Sequence, residues 1–183
     1  MNKSHKRKVK TALLKETNSK LLHLSPHTKK ITIFLIKFFL IFGVASILIE
    51  LINLIPLTNL ITNLAAGFLN LPFSASTIFT GTQAFMITNS CTGLVSASIL
   101  GAIIFALRKP AFQIKLTLFI WGSIALLLFN IPRIMLVLIA AESGFDAELV
   151  HEATWFVMSA IVLGIWYFGT KRITNVNDFS ELV

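Results

Sequence analysis

The sequence predicts an all-α membrane protein with about four transmembrane helices. Its residues are 55% hydrophobic and only 13% charged, and its mean hydropathy is +0.80. These values are typical of polytopic membrane proteins. Residues 56–91 carry patterns that indicate an outer interfacial helix and a short β-hairpin-like loop. The predicted spans are residues 31–55, 92–107, 116–136 and 151–168, in one bundle over residues 31–170.

Residues 1–30 form a basic segment with nine of the 16 Lys and Arg residues. Cations beside the first apolar run indicate a cytoplasmic tail in contact with anionic lipid. Their placement accounts for the net charge of +8, so no nucleic-acid partner is expected. Residues 171–183 begin with Lys171 and Arg172 and are also predicted to be cytoplasmic, so both termini lie inside.

The first predicted span, residues 31–55, is too long for the core of a signal peptide and is expected to be retained. Lys37 lies near its inner end, where the side chain can snorkel to the membrane surface. Glu50 lies near its outer end. An acid inside an apolar run is costly and often functional, but Glu50 can also simply reach the outer headgroups. Both interpretations stay open.

The segment 56–89 contains no Lys or Arg, which predicts an outside location under the positive-inside rule. Apolar residues recur at helical spacing over 57–71, which predicts a helix lying along the outer surface and closed by Pro72. β-branched and aromatic residues on either side of Gly81 predict a hairpin. This hairpin leads the chain to Cys91.

Three further spans are predicted after Cys91. The second span ends at Arg108 and Lys109, which mark a cytoplasmic loop. Pro132 interrupts the third apolar run and is expected to kink it or to end its straight part. The fourth span begins at His151, after a short acidic loop, and returns to the cytoplasmic side.

Three polar residues are predicted at the same depth. At ~1.5 Å per residue, Cys91 is ~26 Å from Arg108, Arg133 is ~27 Å from Lys115 and His151 is ~30 Å from Lys171. The hydrocarbon core is ~30 Å thick. Cys91, Arg133 and His151 are therefore expected at the outer edge of the core, on neighbouring helices of one small bundle.

The chemistry of these three residues has two interpretations each. Cys91 is the only cysteine, so it forms no internal disulfide and is either a small core residue or a nucleophile. Its place before a helix favours the thiolate. Arg133 either snorkels to outer phosphates or binds a carboxylate or developing oxyanion. His151 is either an interfacial residue or the general acid and base of a Cys/His pair.

Three sequence motifs carry a family resemblance. Ser90-Cys91-Thr92-Gly93-Leu94, Asn130-Ile131-Pro132-Arg133-Ile134 and His151 with Trp155 resemble the exosortase/archaeosortase family of membrane cysteine transpeptidases. The typical family pattern is A-C-S-G-L, then N-x-x-R, then His near the start of the last helix. The resemblance covers about residues 75–168, and the chain has one span before this core where most members have more. It therefore resembles a short member of the family.

The resemblance implies an enzyme on the outer face of a prokaryotic cell membrane. Its partners would be the bilayer and secreted proteins that carry a C-terminal motif, a membrane helix and a basic cluster, and the new C-terminus would pass to a lipid or other surface acceptor. Cys91 would be the nucleophile, Arg133 the oxyanion stabiliser or substrate clamp, and His151 the general acid and base. No cofactor or metal is expected. Asn130, Gly93 and Glu50 are the expected supporting residues.

Two alternatives use the same sequence features. A membrane cysteine protease would hydrolyse the acyl-enzyme and transfer nothing. A non-enzymatic four-helix assembly partner or small transporter would instead use Arg133 and Glu50 as an ion pair, and its function would not need Cys91.

Overall fold

The computed structural model describes residues 26–81 and 83–174. The remainder of the two predicted tails lies outside the described residues. In chain order the helices are α1 (Pro26–Leu51), α2 (Ile55–Leu69), α3 (Leu94–Ala106), α4 (Phe112–Glu142) and α5 (Ala147–Thr174). Strands β1 (Phe73–Ser74), β2 (Thr77–Phe79) and β3 (Ala84–Met86) follow α2, and a 3-10 turn over Asn89–Thr92 precedes α3.

Three of these helices are long and apolar enough to cross a membrane. They are α1, with the apolar stretch His27–Leu51, then α4, and α5 with Ala147–Ile173. The predicted class, a mostly helical membrane protein, is confirmed to this extent. The second predicted span appears as α3, which has 13 residues. At 1.5 Å per residue it is about 20 Å long, less than the hydrocarbon core.

Helix α3 occupies the centre of the helical bundle and packs against α1, α4 and α5. Small residues permit close approach: a side chain at Gly122 of α4 would meet Leu100, and one at Gly101 would meet Phe119. A buried apolar cluster joins the three helices α3, α4 and α5. Its members are Leu100, Ile104, Leu118, Leu126, Met158 and Val162.

Helix α4 runs without interruption through Pro132, which lies inside it. Pro132 cannot donate a backbone hydrogen bond, but the helix continues as far as Glu142. It is longer at both ends than the predicted span 116–136. Its C-terminal part, beyond Pro132, supports the segment that leads to Cys91.

The predicted hairpin is present as two strands of a three-stranded antiparallel sheet with order β1-β2-β3. Ile78 pairs with Phe85 in the β2–β3 register, and Phe73 pairs with Ile78 in the β1–β2 register. Strand β1 follows directly on α2, which ends at Asn70 in the left-handed conformation. The Ser76 hydroxyl donates to Asn59 Oδ1 at 2.8 Å and attaches the sheet to α2.

A second apolar cluster holds α2 and the sheet against α4. It consists of Ile61, Ala65, Ala66, Ile78, Ile87, Ile134 and Leu138. Ile134 follows Arg133, and Ile87 lies between β3 and the turn that carries Cys91. This packing therefore brings Cys91 to the face of α4 that carries Arg133.

Candidate active site

A cavity of about 200 Å³ lies between β3, the 3-10 turn, α4 and α5. Cys91, Arg133 and His151 all line it, each from a different element. The rest of the lining is apolar and comes from Phe85, Met86, Ile87, Ile134, Val137 and Leu138. The three residues that the sequence places at one depth are thus neighbours around one small, mostly apolar space.

Cys91 is half-buried in the 3-10 turn. Its backbone N–H donates to the Thr88 carbonyl at 3.0 Å, and its Sγ is 3.5 Å from Thr88 Oγ1. The amide of Asn89 donates to the Ile49 carbonyl at 3.1 Å, which attaches this turn to the outer end of α1. Cys91 is therefore held in place by its own turn and by α1, with a hydroxyl beside its sulfur.

Gly93 and Asn130 together fix the backbone after Cys91. Gly93 has φ +84°, and a Cβ placed there would lie 3.1 Å from Asn130 Cβ. A side chain at this position would be strained and crowded. The Asn130 side chain, 1% exposed, donates its Nδ2–H to the Cys91 carbonyl. Gly93 thus permits the contact that ties α4 to the turn.

Arg133 is 7% exposed and donates hydrogen bonds from three nitrogens. Nε donates to Thr154 Oγ1 at 3.1 Å, Nη1 to Asn130 Oδ1 at 3.4 Å and Nη2 to His151 Nε2 at 3.2 Å. Its Cζ lies 4.8 Å from the centre of the Trp155 ring. Among the described residues no carboxylate pairs with it, so a buried cation faces the cavity with its charge uncompensated.

His151 is held as a hydrogen-bond acceptor at Nε2. This atom accepts from Trp155 Nε1–H at 3.0 Å and from Arg133 Nη2–H at 3.2 Å. Indole and guanidinium nitrogens only donate, so Nε2 carries a lone pair and the neutral ring carries its proton on Nδ1. The Thr154 hydroxyl donates to the His151 carbonyl at 2.7 Å and accepts from Arg133, which joins the two residues a second time.

A larger cavity of about 650 Å³ adjoins the first and is called the outer cavity, because it lies farther toward the loop between α4 and α5. Phe85, Val137 and His151 line both. The outer cavity is completed by Gln83 and by residues 144–148 of the loop into α5. His151 therefore stands between the inner cavity, which holds the thiol, and an outer cavity with Asp146 and Glu148 in its wall.

Glu50 lies exposed near the C-terminal end of α1 and lines neither of these cavities. Within the described ranges no hydrogen bond or ion pair joins it to Arg133. The structure brings together Cys91, Arg133, His151, Asn130 and Gly93, but it does not bring Glu50 to them. The ion pair expected of a non-enzymatic protein is likewise not formed among these residues.

Three contributing residues were not singled out in the sequence. Thr154 lies three residues after His151, so the two residues share one face of the helix. A hydroxyl residue at this spacing from a candidate site residue could have been predicted as part of the site. Thr88 lies three residues before Cys91 in the same turn. Phe85, which lines both cavities, gives no such signal because its position depends on the sheet.

In residues 26–81 and 83–174, no group of three or more His, Cys, Asp or Glu side chains could hold a metal ion. The reactive groups of the cavity are thus a thiol, a guanidinium and an imidazole. No protein-family model, curated protein or solved structure matches the chain.

Proposed function

We propose that the protein is a cysteine transpeptidase that cleaves the C-terminal sorting signals of secreted proteins at the outer face of a prokaryotic cell membrane. One observation carries the proposal: Cys91, Arg133 and His151 line one cavity. These are a nucleophile, an uncompensated cation and an acid/base group, the parts that acyl transfer needs. The motifs around them resemble those of the exosortase/archaeosortase family, which supports the substrate class.

The proposed arrangement in the membrane has four spans, with both termini inside. Helix α3 would complete its crossing with the 3-10 turn and the loop after Ala106, because irregular backbone is tolerated at membrane depth where protein surrounds it. Helix α2 would lie on the outer leaflet. Its buried side faces the protein, while Leu60, Leu64 and Phe68 form an exposed apolar stripe, with Phe68 68% exposed.

The first chemical step forms a thioester. The Cys91 sulfur attacks the scissile carbonyl carbon, the C–N bond breaks, and the thiol proton passes through His151 Nε2 to the leaving amine. The carbonyl oxygen carries negative charge in the tetrahedral intermediate, and Arg133 supplies the donors that stabilise it. The substrate's membrane helix leaves with the new amine.

The contact between Arg133 and His151 makes this step depend on the substrate. In the free protein, Arg133 Nη2–H and Trp155 Nε1–H both donate to the His151 lone pair, so Nε2 is a weaker base than a free imidazole nitrogen. A substrate oxygen that accepts from Nη2 would draw this charged donor away from the His151 ring and leave the neutral donor of Trp155, so Nε2 would accept the thiol proton more readily. Binding and activation of the nucleophile would thus be the same event.

The second step transfers the acyl group. An acceptor amine or hydroxyl from the outer leaflet would enter through the outer cavity, lose its proton to His151 and attack the thioester carbonyl. The new bond forms as the C–S bond breaks, and Cys91 regains its proton. His151 is suited to this role because it lines both cavities.

Hydrolysis is the second candidate, because the outer cavity is open and admits water as well as an acceptor. The test uses the purified protein in liposomes with a synthetic sorting signal, with and without membrane extract as acceptor source. Mass spectrometry of the product C-terminus separates the outcomes. A mass above that of the free acid supports transfer, and the free acid alone supports a protease. Equal processing by Cys91→Ala would exclude both enzymes.

A further inference from the structure

At the end of the bundle opposite Cys91, a cavity of about 210 Å³ lies between α1 and the end of α3. Cations line it from both sides: Lys30 and Lys37 belong to α1, and Arg108 follows α3. The other lining residues, Ile33, Phe34 and Ala106, are apolar. This basic cavity, with charged rims and apolar walls, has no role in the proposed transfer reaction.

The cavity residues that belong to α1 form one continuous face of that helix. Positions 30, 33, 34 and 37 follow the i, i+3, i+4, i+7 spacing of a helical stripe. Lys37 is seven residues beyond Lys30, about 10 Å farther along the helix axis. The stripe therefore presents two cations about 10 Å apart along the helix axis, with an isoleucine and a phenylalanine between them.

No anionic side chain of the described ranges neutralises these cations. The acidic residues described are Glu50, Glu142, Asp146, Glu148 and Glu152, all at the outer end of the bundle. Lys115 adds positive charge at this end of the bundle, since its ammonium donates to the carbonyl of Leu107, the residue before Arg108. The positive-inside rule explains cations in a loop, but not three cations that line one cavity between helices.

We propose that this basic cavity binds an anionic phospholipid, with its phosphate held by Lys30, Lys37 and Arg108. The cations of the cavity can bind a phosphate group. Its apolar side chains can contact the first carbons of an acyl chain. Basic pockets of this kind, at the membrane surface between helices, suit lipid headgroups. The apolar walls favour a lipid over free phosphate, since a free ion would gain nothing from Ile33 and Phe34.

The test is native mass spectrometry of the full chain in detergent with added phosphatidylglycerol or phosphatidylcholine. The wild type should retain phosphatidylglycerol preferentially. Lys37→Gln/Arg108→Gln should weaken its binding by about 30-fold. Two cations near an anionic lipid contribute about 2 kcal/mol together, and about 1.4 kcal/mol corresponds to a tenfold change in affinity. The matched control, Lys171→Gln/Arg172→Gln, removes the same charge from the end of α5 and should change binding less than about twofold, because neither residue lines the basic cavity.

A charge-preserving variant, Lys37→Arg/Arg108→Lys, should bind as the wild type does and shows that the loss is not a folding defect. Equal losses in the test and control variants would overturn the proposal, because charge anywhere at this end would then suffice. Displacement of the lipid by millimolar inorganic phosphate would also overturn it, in favour of a site for the free ion. None of these measurements depends on transpeptidase activity.

Discussion

At the scale of single residues, the contacts of the candidate site converge on the guanidinium of Arg133. It binds Asn130, Thr154 and His151 through three different nitrogens. Asn130 in turn holds the Cys91 carbonyl. The relative positions of the nucleophile turn, the cation and the imidazole are therefore set by one planar group and its neutral partners.

Replacing Arg133 tests this geometry. Arg133→Lys keeps the charge but loses the planar fork, so one ammonium cannot reach all three partners and a substrate oxygen. We expect the rate of processing to fall by about 100-fold or more, the loss seen when an oxyanion donor is removed. Single-turnover kinetics with a sorting-signal peptide measure it. The control is Thr154→Ser, which keeps the hydroxyl and should stay within a few-fold of the wild type; a Lys variant as fast as Thr154→Ser would contradict the role.

Gly93 gives a prediction about stability. Gly93→Ala should lower the free energy of unfolding by about 1–3 kcal/mol, because φ +84° is strained for alanine and the new methyl group crowds Asn130. Gly164→Ala is the matched control: nothing lies within 4 Å of its added Cβ. In a helix this change should stabilise by about 0.5–1 kcal/mol. Thermal unfolding in detergent compares the two, and equal melting temperatures would show that the turn tolerates a side chain.

The residues of the site were more predictable than their contacts. Helix rise from the flanking cations was enough to predict a shared depth for Cys91, Arg133 and His151. It could not predict which nitrogen of His151 is occupied, because that depends on Trp155 and Arg133 lying on the same side of the ring. It also left the place of Glu50 open, since depth along α1 does not say which way a side chain points.

At the scale of elements, the sheet connects the site to the outer loops. The Gly81 amide at the hairpin tip donates to Glu142 Oε1 at 2.8 Å, at the end of α4. Phe85, in strand β3 of the same hairpin, lines both cavities. The hairpin is thus attached at its base by the apolar cluster with Ile78 and at its tip by one carboxylate.

Removing that carboxylate should loosen the hairpin. In Glu142→Ala, we expect the amides of residues 79–86 to exchange with deuterium several-fold faster, because the tip loses its charged hydrogen-bond acceptor. Mass spectrometry of the exchanged peptides measures this rate. Glu152→Ala removes the same charge from α5 and should leave those amides unchanged. If both variants exchange like the wild type, the tip is held by other contacts.

The ends of the helices and strands depend on local backbone conformations, which the hydrophobic periodicity of the sequence does not reveal. The sequence predicted α3 from Thr92, but the helix begins at Leu94 because Gly93 adopts a left-handed conformation and separates it from the 3-10 turn. Strand β1 is not predicted by the sequence because it has only two residues, between Pro72 and a turn at Ala75 with φ 51°. Two residues are too few to show the alternation of apolar and polar side chains that indicates a strand. Helix α4 continues through Pro132 to Glu142, although Pro132 cannot donate a backbone hydrogen bond.

At the scale of the whole molecule, the proposed topology predicts opposite accessibility for two exposed positions. On a Cys91→Ala background, Gly81→Cys should react with an impermeant thiol reagent added outside intact cells. Lys109→Cys should react only after the membrane is permeabilised, because its loop is proposed to be cytoplasmic. Each variant is the control for the other. Labelling of both from the same side would require an even number of crossings between them and would remove the proposed outer location of the site.

In the proposed four-span topology, the short central helix also determines how a membrane voltage would be distributed through the molecule. Helix α3 spans about 20 Å, with the thiol cavity beyond one end and the basic cavity beyond the other. If water fills both, the insulating layer there is about 20 Å thick instead of about 30 Å, and the electric field along α3 is about one and a half times steeper. A potential of 100 mV is worth about 2.3 kcal/mol per charge. A charge that enters either cavity from its own side of the membrane would cross only a small part of this potential. A charge that moves from the level of Lys37 to the level of Arg133 would cross nearly all of it.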